Sequence, residues 1–346
     1  MSRDVMRAVV WAEDGALVPT QLPVPQPGPG ELRVRVRACG ICGSDLHLRS
    51  IRFLRPGLAP GHEFAGEVDA LGSGVTGVAV GDAVAVEPLR SCGRCDECRR
   101  GLDAICESGQ LLGVQAHGGF AEYAVVPAAR AFPVPRDLDP RVAALAEPAA
   151  VVVRGLRRGR LAPGQRVLVL GAGSVGLLGA LAARALGAGE VWVSARHAAQ
   201  AQLAKDFGAA RVLGESESTP DALLRAAREA PFDVVLETVG GRADTLNAAA
   251  AAVRRGGAVA VIGMFLGPVS LQTMPLLVKE VTLAWSYCYG RDAEPCDFAA
   301  ATRLLGDERE RAARLVTHAV PLAEAERAFA LAAERRAGTV KVSVLP

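Results

Sequence analysis

Four thiols lie within one short stretch, Cys92-x2-Cys95-x2-Cys98-x7-Cys106, with Gly93 and Gly101 among them. Thiolates at such spacings let one loop wrap a tetrahedral Zn2+. A redox pair has no use for a third and fourth cysteine, and buried free thiols would not gather in a polar, arginine-rich loop. With every coordination position filled by protein, this zinc is expected to be structural. A second group is dispersed. Cys39 and Cys42 form a CxxC within Gly40-Ile41-Cys42-Gly43-Ser44-Asp45-Leu46-His47. His62 comes fifteen residues after His47, with Glu63 beside it, and Glu147 stands in Ala146-Glu147-Pro148. Cysteine, histidine and carboxylate with one position left open make a catalytic zinc arrangement. Singly, each has a plainer reading: small buried thiols, a turn histidine, a helix-start acid.

A third constellation handles phosphate. Gly171-Ala172-Gly173-Ser174-Val175-Gly176 follows an apolar run at 167–170 and opens a helical pattern. In a dinucleotide-binding turn the first glycine permits the bend and the second lets backbone approach the pyrophosphate. The third lets helix and strand pack closely. The residue expected to bond the adenosine ribose lies about 20 residues on. That position is Ala195, between Ser194 and Arg196-His197, and it is no carboxylate. A guanidinium fork suits a 2′-phosphate, so NADP is expected over NAD, with Ser194 and His197 adding hydrogen bonds.

The elements that must position these residues fall into two styles. Up to about residue 150, short strand-like runs at 32–38, 65–68, 83–86 and 122–126 sit among frequent Gly and Pro, as in a mostly antiparallel β domain. From 163 to 286 the pattern alternates. Strands are expected at 167–170, 191–194, 211–213, 234–237 and 259–262, and helices at 175–186, 199–207, 221–230 and 244–254. That alternation implies a doubly wound parallel sheet. Helices at 295–305 and 323–333 and a strand at 339–345 close the chain. The expected division is a catalytic domain at 1–151, a cofactor domain at 152–291 and a segment at 292–346 that returns to the first.

Composition fits this division and excludes several classes. The 346 residues are 50% hydrophobic and 22% charged, enough for a large core. The 39 Lys and Arg against 37 Asp and Glu leave a formal charge of +2, so no nucleic-acid or membrane-surface partner is indicated. The start of the chain carries Arg3, Asp4 and Arg7 without a signal-peptide core. The uncharged run at 167–183 and the long one at 256–278 are interrupted by Gly and Pro and read as strand, turn and helix, not membrane spans. A cytoplasmic chain is expected.

Taken together, GICGSDLH at 40–47, GHEFAGEV at 61–68, the four-cysteine lobe, GGFAEY at 118–123, EPAAVV at 147–152, GAGSVG at 171–176 and the closing Val340-Lys341-Val342 resemble the zinc-dependent medium-chain alcohol and polyol dehydrogenase family over essentially the whole chain. The resemblance implies an α/β fold: a GroES-like β domain plus a Rossmann cofactor domain, with the active site in the cleft between them. It implies two Zn2+ per chain. Cys42, His62 and Glu147 would hold the catalytic one, with Glu63 beside it as a neighbour or exchanging ligand and Asp45 orienting the His62 ring. Glu147 in place of a cysteine points to the polyol, threonine and secondary-alcohol branches. Relatives are dimers or tetramers, and 281–285, as the last strand of the sheet, is the expected pairing edge.

The activity implied is hydride transfer between an alcohol or polyol, or its ketone or aldehyde, and NADP, with NAD as the second choice. Zinc lowers the hydroxyl pKa. Ser44 takes the proton and passes it through the nicotinamide ribose to His47 at the surface, an imidazole with an ordinary pKa near 6.5. Arg49, Arg52 and Arg55, between His47 and His62, would attract an anionic substrate or form a solvated loop face. Rival readings are a zinc-containing reductase of an activated C=C or iminium bond, and a non-enzymatic cofactor-binding protein. The Ser44–His47 pair counts against the first and the complete zinc set against the second. Cys39, Cys288 and Cys296 have no assigned role.

Overall fold

A computed structural model describes residues 4–334 and 338–346; Arg3 lies outside them. The chain divides into two compact units, Met1–Glu147 with Gly290–Pro346, and Pro148–Tyr289.

The first unit is built on a seven-stranded sheet. Its order is Val316–Pro321, Lys341–Leu345, Glu31–Gly40, Glu63–Leu71, Ala83–Val86 and Ala131–Pro133, with Tyr123–Pro127 also paired to Glu31–Gly40. Only the first pair is parallel. The strand Glu31–Gly40 shows why it forms. Leu32, Val34, Val36 and Ala38 alternate into the core, and Arg33, Arg35 and Arg37 alternate outward. Those arginines meet Asp69 and Glu67 across the neighbouring strand. Its inner end delivers Cys39 and Gly40 opposite Phe64 and Glu63, so the two halves of the dispersed cysteine–histidine group arrive side by side. The C-terminal strand pairs with the same end, Ser343 opposite Gly40.

The second unit carries a six-stranded, wholly parallel sheet: Arg211–Leu213, Glu190–Ser194, Arg166–Leu170, Phe232–Glu237, Val253–Val261 and Thr282–Trp285. Val167, Leu168, Val169 and Leu170 are sealed on both faces, as a central parallel strand requires. The chain crosses to opposite sides of this strand, so its carboxyl end is the switch point where such sheets bind ligands. One expected helix is shorter than 244–254. It spans Thr245–Ala252 and gives way to a strand at Val253, because Val253 fits a buried pleat opposite Phe232. Among the described residues no helix is long and apolar enough to cross a membrane.

Candidate functional site

The stretch after Cys42 is a helix, Gly43–Ser50, where sequence reasoning had no element. Asp45 starts it: its Oδ2 accepts the Cys42 N–H at 2.9 Å, capping the first turn, and His47 and Arg49 suit the last turn. Cys42 is thereby fixed at the helix entry. Ser44 and His47, three residues apart, share one helix face. His47 is half-buried on that helix.

His62 immediately precedes the strand Glu63–Leu71, which Glu63 begins. One ligand atom each of Cys42, His62 and Glu63 lies within 4.8 Å of the others. Asp45, 2% exposed, brings Oδ1 to 3.5 Å from His62 Nδ1, longer than a full hydrogen bond but on the ring edge it would orient. The Ser44 hydroxyl sits 3.4 Å from the other ring nitrogen, Nε2. Burial opposes charge on His62, yet Asp45 and Cys42 together hold its pKa well above the ordinary value. Glu147 is buried in the first turn of the helix Ala146–Arg158 but is not part of the 4.8 Å cluster. The structure thus places Glu63, not Glu147, closest to Cys42 and His62. Burial pushes the Glu147 carboxyl up to about 7; Glu63 and Asp45 add to this, while His62 and Lys341 oppose it.

Sequence reasoning gave Lys341 no role here. It enters from the C-terminal strand, 3% exposed, and donates from Nζ to both Glu63 oxygens at 2.8 and 2.7 Å and to Ile41 O at 3.0 Å. The signal was a lysine inside the apolar run Lys341–Leu345, where only a paired charge is tolerated. Cys42, Glu63 and Glu147 therefore act on one buried ammonium, and Asp45 faces His62. Such an excess of soft and anionic donors around an imidazole suits a divalent Zn2+.

Cys92, Cys95, Cys98 and Cys106 also converge, each offering a sulfur within 4.8 Å of the rest. Backbone amides point at the sulfurs: Arg94 and Cys95 N–H to Cys92, Cys98 N–H to Cys95, and Cys92 N–H to Cys106. Amides aimed at sulfur favour thiolates. The Arg94 and Cys95 amides bring the Cys92 thiol down to about 6. Cys95 goes up to about 12: the Cys98 amide favours its thiolate, but burial and the neighbouring thiols outweigh it. The donor chemistry fits a closed four-thiolate zinc site. Arg130, 6% exposed, ties the lobe down by bonding Asp103 and Glu87, with Ser91 at 2.6 Å.

In the second unit Gly171 turns at φ +104° between the strand Arg166–Leu170 and the helix Ser174–Ala185. A Cβ at Gly171 or Gly176 would strike protein, 2.8 Å from the Thr238 hydroxyl or 2.0 Å from Gly171 O. A Cβ at Gly173 would meet nothing within 4 Å. The second glycine therefore has no reason inside the protein, and its open face suits a phosphate above the free amides of Ser174 and Val175. Ser194 Oγ accepts the Gly171 N–H at 2.9 Å, so it shapes the turn. Arg196 is 63% exposed, its Nε 3.5 Å from Glu215 Oε1, and His197 stands at the N-cap position of the next helix without a side-chain cap bond. Of the loop arginines, Arg49 pairs with Glu326 and Arg55 with Gln115 O, and Arg52 is exposed at φ 53°.

The profile of the Alcohol dehydrogenase GroES-like domain matches residues 28–136, and that of Zinc-binding dehydrogenase matches 174–305. The chain is 33% identical to L-galactonate-5-dehydrogenase of Escherichia coli K12 over 92% of both chains. Among solved structures it is similar to galactitol-1-phosphate dehydrogenase from Escherichia coli, with a TM-score of 0.90 and 30% identity over 99% of this chain and 100% of that one. A zinc-binding dehydrogenase from Sinorhizobium meliloti 1021, bound to NADP, gives a TM-score of 0.88 and 32% identity over 99% and 100%.

Proposed function

Because the chain belongs to the zinc-dependent medium-chain alcohol and polyol dehydrogenase family, we propose that it moves a hydride between a secondary hydroxyl carbon of a polyol or sugar-acid chain and NADP. Cys42 and His62, with Glu63 or Glu147 as the carboxylate, would hold the catalytic Zn2+, and Cys92, Cys95, Cys98 and Cys106 the structural one. When bound, the catalytic metal supplies Lewis acidity to the hydroxyl oxygen and the nicotinamide supplies the hydride acceptor. The chain's own residues handle the proton. Ser44, beside His62 Nε2, accepts it from the substrate hydroxyl, and His47, on the same helix face, relays it outward. Asp45 holds the His62 ring so that Nε2 is the nitrogen left for metal.

The observation that carries this reading is the meeting of Cys42, His62 and Glu63 donors with the Ser44 hydroxyl against the same imidazole. Substrates of the relatives, a galactonate and a phosphorylated galactitol, are anionic polyols. They support a hydroxylated, negatively charged substrate here, with the exposed Arg52 as its candidate attractor. Arg196 and the missing acid at Ala195 support NADP. The edge strand Thr282–Trp285 and the neighbouring helix Thr273–Lys279 leave Leu277 and Trp285 exposed, which supports pairing into a dimer or tetramer. Free thiols at all eight cysteines suit a reducing cytoplasm. The test is reduced-nicotinamide absorbance with zinc-loaded protein, using a panel of polyols, aldonates and polyol phosphates against NADP and NAD. Turnover with a secondary polyol, faster with NADP, is expected. No turnover on any member, or full activity in Cys42→Ser, would overturn the reading.

A further inference from the structure

The peptide group that joins Leu170 to Gly171, where the glycine turn of the second unit begins, is gripped from both sides. From one side Ser194 Oγ takes the Gly171 N–H at 2.9 Å. From the other, Thr238 meets the Leu170 carbonyl twice, its hydroxyl donating at 2.7 Å and its N–H at 3.1 Å. The same hydroxyl is the atom that a Cβ on Gly171 would approach to 2.8 Å and one on Gly176 to 3.0 Å. Thr238 is therefore a surface against which the first glycine is moulded, and the third packs first on Gly171 O and then on the same hydroxyl. Gly173, between them, faces open space.

The turn that follows Thr238 is pinned by a buried carboxylate. Glu237, fully buried at the end of the strand Phe232–Glu237, accepts on Oε1 from Val239 N–H at 2.8 Å, Gly240 N–H at 2.9 Å and the Thr245 hydroxyl at 2.8 Å. Among the described residues no side-chain cation is bonded to it. Oε1 thus meets three donors, two of them amides at the start of a turn in which Gly240 and Gly241 take φ of 60° and 66°. A Cβ on Gly263 would fall 2.3 Å from Oε2, so that glycine makes room for the carboxylate.

We propose that Thr238 is a positioning residue for the pyrophosphate of the bound dinucleotide: its hydroxyl fixes the path of the glycine turn, while Glu237 fixes the 239–240 turn that continues the chain from Thr238. This rests on the dinucleotide reading above. Thr238 touches only the turn. Its contribution is to keep the Gly173 face and the first helical amides in the arrangement phosphate needs.

The experiment measures binding of NADPH, NADH and adenosine 2′-monophosphate, which has no pyrophosphate, to the zinc-loaded full chain by titration. Thr238→Val removes the hydroxyl but keeps the N–H that also serves the Leu170 carbonyl, so the fold has its backbone bond. It is expected to bind both dinucleotides about five- to tenfold more weakly, the worth of one buried hydrogen bond, with KM for the cofactor rising more than kcat falls. Adenosine 2′-monophosphate should bind as to wild type. Thr238→Ser should restore dinucleotide affinity to within about twofold. Unchanged dinucleotide affinity in Thr238→Val, equal losses in both variants, or an equal loss for the monophosphate would overturn the proposal. Wild-type protein that binds no dinucleotide at all would overturn the functional reading and this proposal with it.

Discussion

Replacing Lys341 with Met should cost the metal-free protein far more than the metal-loaded one. In the structure Lys341 is the ammonium that donates to both oxygens of Glu63, and Glu63 is completely buried. Glu147, also buried, and Cys42 add negative charge nearby. Removing one partner of a buried ion pair costs about 3–5 kcal/mol, because the other charge is left without compensation. Loss of Lys341 also relieves the burial of its own ammonium, so the lower end, about 3 kcal/mol, applies. For a unit of this size that lowers the melting temperature by about 6–12 °C. A divalent cation among Cys42, His62 and Glu63 would restore positive charge beside the same carboxylate and shrink the deficit by at least half. Thermal unfolding by circular dichroism, wild type against variant, with EDTA and then with Zn2+, measures both numbers. Metal stripped from the cysteine lobe affects both proteins alike and cancels in the difference. Equal melting in EDTA would refute the charge ledger, and a deficit that zinc leaves unchanged would refute placement of the metal beside Glu63.

Other outcomes follow from the same geometry. Burial raises the Glu147 pKa in the folded, metal-free protein to about 7, above its unfolded value. The stability this group contributes is complete below about pH 4.5 and is lost as pH climbs through about 7, a change of about 3 kcal/mol. In EDTA, wild type should therefore lose stability relative to Glu147→Gln between pH 5 and 8; a pH-independent gap would contradict the burial account. Arg196→Ala should raise KM for NADP by about 10- to 100-fold, the worth of a charged hydrogen bond, and leave NAD nearly unchanged. Glu215→Gln should act oppositely, improving NADP by about twofold to fivefold by releasing Arg196 from an exposed pair. Equal effects on both cofactors in steady-state kinetics would remove the 2′-phosphate assignment.

What could be read from the chain was whatever is local in sequence. The four-cysteine lobe spans fifteen residues and the glycine turn six, so spacing alone exposes their geometry. The alternating strand around Val34 and the sealed run 167–170 show their burial directly in their periodicity. Hidden were the contacts made by the sheet. Lys341 and Glu63 are 278 positions apart and meet because the C-terminal strand pairs with Glu31–Gly40, a register no local pattern specifies. Thr238 and Leu170 meet for the same reason across two parallel strands, 68 positions apart. The resemblance names Glu147 as the ligand with Glu63 beside it; that the Glu63 carboxylate lies within 4.8 Å of Cys42 and His62 is a proximity no local pattern exposes. The helix at Gly43–Ser50 was missed because its cap is Asp45 reaching back to Cys42, a signal masked by two glycines.

The central claim is that Cys42 belongs to a catalytic metal site separate from the cysteine lobe. Zinc per chain in wild type and Cys42→Ser, measured by mass spectrometry on the protein samples used for the dehydrogenase assay, tests it most directly. The account predicts about two zinc ions in wild type and about one in the variant, with turnover lost and the lobe still loaded. A variant that keeps both ions and still turns over would contradict it.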